Sequence, residues 1–374
     1  MNNKEHNNLP KQEENLNNEC DMPNQKYLIV NKLFKTYIGG YTGINDISFD
    51  LQKGEQLIIL SDISGGKTTL LSVIAGLESA TSGDTYLDGK LINDYKIKHR
   101  NIGYIDSSLQ LQTNKKVIDI ISYPLKIRKF DNNKIIDKVV ELANKLEISD
   151  ILQKKVNKLS YYEKCLVAIA RLATVNRDLY LIDDIFINLS NIELNKIIVK
   201  IKELFKDKTL IIAVKKYKLA KQFDIDKILL LGYSTNIGFG SIHNKEMFFN
   251  SLAGVKLYLD RQVCCIPCSI SGNKIIIANK EYQTTKSLKR NVFDSGIICI
   301  DINKIAFNNS KQCSIKSEIG YINQDNIAYL DIENRIATIY LSEKKYKVGD
   351  YIEFSFDISD TYIYDNNSEM LISI

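Results

Sequence analysis

The segment "LSDISGGKTTLL", residues 60–71, closes on Gly65, Gly66, Lys67, Thr68 and Thr69. Glycines in such a turn let backbone N–H groups point at an anion, the lysine supplies charge, and a threonine hydroxyl suits a divalent cation, so this order of residues is built to grip phosphate. Two positions depart from the strict pattern: Ser61 and Ser64 stand where glycine is usual. A serine forced to φ > 0 costs about 1 kcal/mol or tilts an N–H away from its target. The expectation is a weakened but recognisable phosphate loop.

Chemistry on a bound phosphate needs acids and a further cation. "RDLYLIDDIFINL" is an apolar run ending in Asp183 and Asp184, and "AVKK" places Lys215 just past another apolar run. Two acids at the end of one apolar run and a lysine just past another are groups that could meet a bound phosphate or its cation.

The elements that must carry these groups alternate. "YLIVNKLFKTY", "INDISFDL" and "QLIIL" read as strands, and "KTTLLSVIAGLES" has apolar residues at helical spacing, giving strand, loop, helix around the phosphate turn. About 117–175 is mostly helical by period, with "NKIIDKVVELANKLE" the clearest amphipathic stretch. A helix near 192–205 and strands "KTLIIAV" and "KILLLG" complete an α/β pattern that implies a largely parallel sheet. Past residue 255 the runs become short and alternating, as in "GIICIDI", "RIATIYL" and "YIEFSFDI", which predicts a small barrel or sandwich.

At 374 residues the chain suits two domains. Its 44% hydrophobic and 25% charged content is that of a globular protein, and no run approaches the roughly 20 apolar residues of a membrane span. The net charge of +5, from 50 basic and 45 acidic residues, is too dilute to argue for nucleic acid, and the β-rich strands lack basic and aromatic interleaving. Residues 1–25, rich in Asn, Glu and Lys, predict a disordered tail without a secretory signal. An odd count of 7 cysteines points to reduced thiols, and Cys264, Cys265 and Cys268 fit no usual zinc spacing.

Further landmarks occur in a fixed order. They are "FKTY" with Tyr37, "ISFDLQKGEQLIIL", "LESATSGDTYLDGKLI", "RNIGYI", "VIDIISYPLKIRK", "LSYYEKCLVAIARL" and "LYLIDDIFINL", then "FDSGIICIDINKI" and "VGDYIEFSFDISDTYIYD". Together they resemble the ATP-hydrolysing subunit of ABC transporters, in the sugar-importer branch typified by the maltose system. The resemblance implies an α/β P-loop fold of ABC type over 26–243, with an inserted helical lobe at about 107–165, followed by a β-rich OB-like domain over 244–374. It implies ATP and Mg²⁺ as ligands, with Tyr37 stacking on adenine, and Ser61, Ser64, Gly65, Gly66, Lys67, Thr68 and Thr69 around the phosphates. Thr68 and Asp183 would hold Mg²⁺, with a weaker contribution from Ser107.

The resemblance also marks where this chain departs. Asp184 replaces glutamate and is one methylene shorter, enough to misplace water by about an ångström and lose roughly a hundredfold in rate. Ser107 replaces the glutamine of the lobe hinge, and Lys215 replaces the switch histidine, whose proton exchange lysine does not share near neutral pH. In the signature, Ser160 is kept, but Tyr161 and Tyr162 replace two glycines and Glu163 replaces glutamine, so bulk should obstruct and charge repel the opposite subunit's phosphate. The implied protein lies in the cytoplasm against the inner face of the membrane without entering it. It docks on permease subunits through "SYPLKIRK" and works as a homodimer or heterodimer, with slow or absent hydrolysis. The alternative is a non-hydrolysing scaffold or regulatory protein on the same fold.

Overall fold

The computed structural model describes residues 26–371 apart from 63–64, 261, 272–273, 284–294, 308–309, 324–325, 333–334, 342–345, 367 and 369. The expectation of a disordered tail at 1–25 lies outside the described residues.

The chain opens with β1 (Leu28–Thr36), β2 (Thr42–Leu51) and β3 (Gln56–Ser61), then α1 (Lys67–Ala75), β4 (Ser82–Leu87), β5 (Lys90–Leu91) and β6 (Ile102–Ile105). Three helices follow, α2 (Val117–Ile127), α3 (Asn132–Leu146) and α4 (Tyr161–Ala173). Next come β7 (Leu179–Asp183), α5 (Asn191–Leu204), β8 (Leu210–Val214), α6 (Tyr217–Gln222), β9 (Lys227–Gly232) and β10 (Thr235–Ser241). These ten strands form one sheet in the order β5-β4-β1-β2-β10-β9-β3-β8-β7-β6. The sheet is mixed. Strands β9, β3, β8, β7 and β6 run parallel, while β1, β2, β4 and β5 form an antiparallel wing.

The parallel strands are buried on both faces, which is why they read as continuous apolar runs. Period-two alternation then assigns each side chain to a face. Ile58, Leu60, Tyr180, Ile182, Ile212 and Val214 join the core beneath α4 and α5, whereas Leu57, Ile59, Leu179, Leu181, Ile211 and Ala213 join the core shared with α1 and the wing. The consequence for function is positional. Ser61, Asp183 and Lys215 all fall at or just past the carboxyl ends of adjacent parallel strands, where α/β sheets place their ligands.

Helices α3, α4 and α5 start where side chains cap them. Ser160 and Ser190 each form a reciprocal capping box, with Glu163 and Glu193 respectively, and Asp131 caps α3. Such caps contribute about 1 kcal/mol each.

Beyond β10 come two short helices, α7 (Lys245–Phe249) and α8 (Leu252–Tyr258), and then β11 (Val263–Ser271), β12 (Lys274–Ile277), β13 (Lys280–Gln283), β14 (Ser295–Asp301), β15 (Cys313–Ile322), β16 (Ile327–Ile332), β17 (Arg335–Tyr340), β18 (Tyr351–Phe356) and β19 (Thr361–Asp365). The stretch 252–258, expected to begin the strand-rich region, is helical instead. All pairings among these nine strands are antiparallel. Their core is separate from that of the first sheet.

The two halves meet through aromatic packing. Phe248 is fully buried and lies 5.0 Å from the Tyr217 ring and 5.2 Å from Tyr258, while Phe249 stacks on Tyr362 at 4.4 Å. The backbone N–H groups of Tyr217 and Lys218 donate to the Asp260 carboxylate at 2.6 and 3.4 Å. Removing a fully buried aromatic ring leaves a cavity worth about 3–5 kcal/mol. Phe248→Ala is therefore expected to lower the unfolding free energy by an amount in that range, read from urea denaturation followed by far-ultraviolet circular dichroism; a change below about 1 kcal/mol would show that the seam carries little stability.

Candidate functional site

The turn between β3 and α1 is organised around one ammonium. Lys67 Nζ donates to Ser61 O at 2.9 Å, to Ser61 Oγ at 2.7 Å and to Asp62 O at 3.0 Å. Ser61 ends β3 and is not among the described residues with positive φ, so the expected backbone strain at that position is absent. The physical reason is that the strand continues through residue 61, where extended backbone accepts any side chain, and the hydroxyl adds an acceptor for the lysine. Ser64 lies outside the described residues. Gly66 does require glycine: its φ is 92°, and a Cβ there would sit 2.5 Å from Gly43 O. At Gly65 a Cβ would collide with Ser61 Oγ at 2.5 Å.

Burial depresses the Lys67 pKa to about 8, chiefly by desolvation; Asp184 and Asp183 oppose the shift, and Lys215 adds to it. Asp183, at the end of β7, is only 2% exposed. Burial pushes its carboxyl above the usual range, with Asp184 adding to the shift while Thr68, Lys67 and Tyr104 oppose it. Tyr104 donates to Asp183 Oδ2 at 3.3 Å, whereas the buried Oδ1 has no hydrogen-bond partner. A buried, orphaned carboxylate oxygen beside the Thr68 hydroxyl fits a hard divalent cation such as Mg²⁺, which takes oxygen ligands.

Asp184 adopts φ 52° and bonds its N–H to Ala213 O at 3.1 Å. Its Oδ2 lies 2.8 Å from Lys215 Nζ. The two departures from the resembled pattern thus meet each other.

These groups line one cleft of about 440 Å³, which holds Gly65 to Thr69, Asp183, Asp184, Lys215 and Ser107. Sequence reasoning missed four of its other walls: Tyr41, Asp106, Ser108 and Ile187. Tyr37, expected to stack on adenine, instead directs its hydroxyl to Thr69 Oγ1 at 3.2 Å, and its ring stacks behind Tyr41 at 6.0 Å. Tyr41 is 56% exposed and is the aromatic that faces the cleft. The signal was present in "GGYTG", because a turn through Gly39 and Gly40, both at positive φ, folds residue 41 back toward 37. The Asp106 carboxylate accepts from Ser108 N and Gln110 Nε2, both at 2.9 Å, which fixes the loop bearing Ser107.

The signature residues do not line this cleft. Ser160 caps α4, and its Oγ accepts from Glu163 N at 3.2 Å while Glu163 Oε2 accepts from Ser160 N at 2.7 Å. Tyr161 and Tyr162, bulky where the resembled pattern has glycines, both pack against the core beneath α4 and α5. Their apolar faces are better buried there than exposed. Tyr161 also donates its hydroxyl to Ile185 O at 3.1 Å, directly after Asp184.

Cys264, Cys265 and Cys268 are buried on β11, with Cys265 Sγ 3.6 Å from Cys299 Sγ. Among the described residues no group of three or more His, Cys, Asp or Glu side chains has the geometry to hold a metal.

Fold and cleft define a phosphate-loop α/β domain with an acidic pair at the strand ends. Residues 44–186 match the family model described as ABC transporter. The chain is 41% identical over 146 residues to the molybdate/tungstate import ATP-binding protein WtpC of Thermococcus kodakarensis, covering 39% of this chain and 44% of that protein. It is 35% identical over 155 residues to the sn-glycerol-3-phosphate import ATP-binding protein UgpC of Pectobacterium atrosepticum, covering 41% and 43%. The chain thus spans less than half the length of these curated relatives. Its fold is similar to cbiO1 from Clostridium perfringens, part of the ABC transporter complex cbiONQ, at 24% identity and TM-score 0.54 over 63% of this chain and 97% of that one. It is equally similar to a nucleotide-free ATP-binding cassette from an ABC transporter, at 20% identity and TM-score 0.54, with 63% and 99% covered.

The Lys67 shift has a definite sign. The unfolded chain keeps this proton to about 10.5 and the folded chain only to about 8, so between those values the unfolded state binds more protons and the contribution to stability rises with pH. A triphosphate favours the charged form, so its affinity is expected to be flat below pH 8 and to fall as the pH rises above it. Calorimetric titration checks this, and Lys67→Arg, which does not titrate in the range, should flatten the profile.

Proposed function

We propose that the chain is the ATP-binding subunit of an importer of the sugar-uptake type, and that it holds MgATP but turns it over slowly or not at all. The observation that carries this reading is the 2.8 Å ion pair between Asp184 and Lys215. A carboxylate that orients attacking water must present a free oxygen to it. Here the acid is short by a methylene and its negative charge is already matched by a lysine.

Grip is better provided. Lys67 places a buried ammonium at the phosphate turn, Gly66 keeps its N–H unobstructed, and Tyr41 offers an exposed ring to a base, with Tyr37 behind it. Thr68 and Asp183 would hold Mg²⁺, which neutralises phosphate charge when bound. Ser107 stands at the mouth of the cleft, where its short hydroxyl contributes at most one oxygen.

In a sandwich of two such subunits, alike or unlike, the signature of one would close over the phosphate of the other. The α4 N-terminus already carries the Glu163 carboxylate on the Ser160 amide, which offsets the positive end that an incoming phosphate needs. Both composite sites would then be impaired, since one takes Asp184 with Lys215 and the other takes Ser160 to Glu163.

No helix among the described residues is long and apolar enough to cross a membrane. Tyr123, Ile127 and Phe130 nevertheless leave an apolar patch exposed on and just after α2, and this patch supports docking on permease subunits at the inner face of the membrane. The proposed partition assigns 26–243 to nucleotide and permease, and 244–374 to regulation.

Equilibrium binding of ATP with and without Mg²⁺, run beside a phosphate-release assay, tests the reading. The expected result is Mg²⁺-assisted binding that Lys67→Ala abolishes, with turnover about a hundredfold below that of an intact ATPase. Brisk hydrolysis lost in Lys67→Ala would refute the slow-turnover reading; no ATP binding, with complexes retained, would favour the scaffold reading. For docking, Tyr123→Asp is expected to abolish co-purification with the permease while leaving ATP affinity within twofold.

A further inference from the structure

A second cleft lies at the far end of the same sheet, between α3, the turn after α4, and α5. Its volume is about 630 Å³, within the range that accommodates small-molecule ligands. Tyr180 lines it, three residues and about 10 Å of strand away from Asp183, and it shares no lining residue with the nucleotide cleft. The floor is apolar, built from Leu142, Val175, Leu204 and Phe205. The walls are basic: five lysines against two glutamates.

The charges are incompletely matched within the cleft. Glu141 alone serves both Lys138, at 2.9 Å, and Lys145, at 2.7 Å, and those two ammoniums hold its carboxyl below the usual range. Lys200 is the unusual member: its side chain is 8% exposed, and it pairs at 3.1 Å with Glu147, which is 78% exposed and does not line the cleft. A buried ammonium whose counter-ion stands mostly in water is under-compensated, so an anion arriving beside it gains more than one at the open surface. The Lys134 and Lys208 stems add cationic walls around the apolar floor.

We propose that this cleft binds a small amphiphilic organic anion, one carboxylate, sulfonate or phosphate on an apolar body, with the acid group beside Lys200 and the body on Leu204 and Phe205. Occupancy would bridge α3 of the helical lobe to α5 of the sheet and hold the two together independently of nucleotide.

The chain contains no tryptophan, which makes the test local. Asn176→Trp places a single indole on the rim of this cleft. Titration with anilinonaphthalene sulfonate, exciting the indole alone, should give saturable energy transfer to the dye. Decanoate should displace the dye and decanol should not. Adding Lys200→Met should weaken dye binding roughly tenfold; the exposed pair Lys134→Gln and Lys145→Gln, which spares the buried position, should weaken it several-fold. Saturating ATP should leave the transfer unchanged. Absence of energy transfer, equal displacement by decanol, or unchanged affinity in both lysine variants would each overturn the proposal. None of these readouts depends on ATP binding, so failure here is distinct from failure of the nucleotide reading.

Discussion

The burial of the Lys67 ammonium is the constraint on which the nucleotide end of the molecule depends. Taking a cation out of water is costly unless several oxygens replace its hydration, and the structure supplies three of them from two adjacent residues, Ser61 and Asp62. To bring those oxygens together, β3 must end at Ser61 and the chain must turn back at once into α1. Gly66 must then take a left-handed conformation against Gly43 O. The phosphate turn is thus a closed local structure before any ligand arrives, and the lysine belongs to its framework as much as to its chemistry.

A second charged contact works in the opposite direction. Asp184 and Lys215 directly follow the neighbouring parallel strands β7 and β8, so the sheet register brings them together. A pair formed by register persists, because breaking it means leaving a nearly buried carboxylate uncompensated. Phosphate arriving at Lys215 would have to compete with Asp184 for the same ammonium. The acid and the lysine form one coupled, neutral pair, and neither is interpretable alone.

Much of this was legible in the order of residues. The parallel strands announced themselves as short apolar runs, the phosphate turn by its glycines and lysine, and the helical lobe by its period. What sequence did not convey was direction. Ser61 looked like a strained loop residue because its position in the motif is usually glycine, yet the strand simply extends one residue further. For Tyr161 and Tyr162 side-chain bulk is visible in a sequence and rotamer choice is not; both rings pack against the core beneath α4 and α5. Glu163 looked like a repelling charge, although its spacing from Ser160 is that of a capping box, a local signal that could have been read. Tyr41 was hidden for a different reason: only the fold of the glycine turn decides which of two tyrosines faces the cleft.

Retention of the phosphate-gripping residues does not by itself argue that phosphate is gripped. Lys67 and Gly66 are required by the turn, and folding alone would keep them. Asp183 is different. Its Oδ1 is buried with no hydrogen-bond partner, and an unsatisfied carboxylate oxygen costs stability with no structural return. Tyr104 donates to the other oxygen, Oδ2, and Asp183 lines the cleft together with Lys67. A site shaped only by folding would place an apolar side chain or an amide at such a position. An unpartnered carboxylate oxygen is what a cation-bearing ligand requires, and it favours the proposed nucleotide site over a turn that merely preserves its outline.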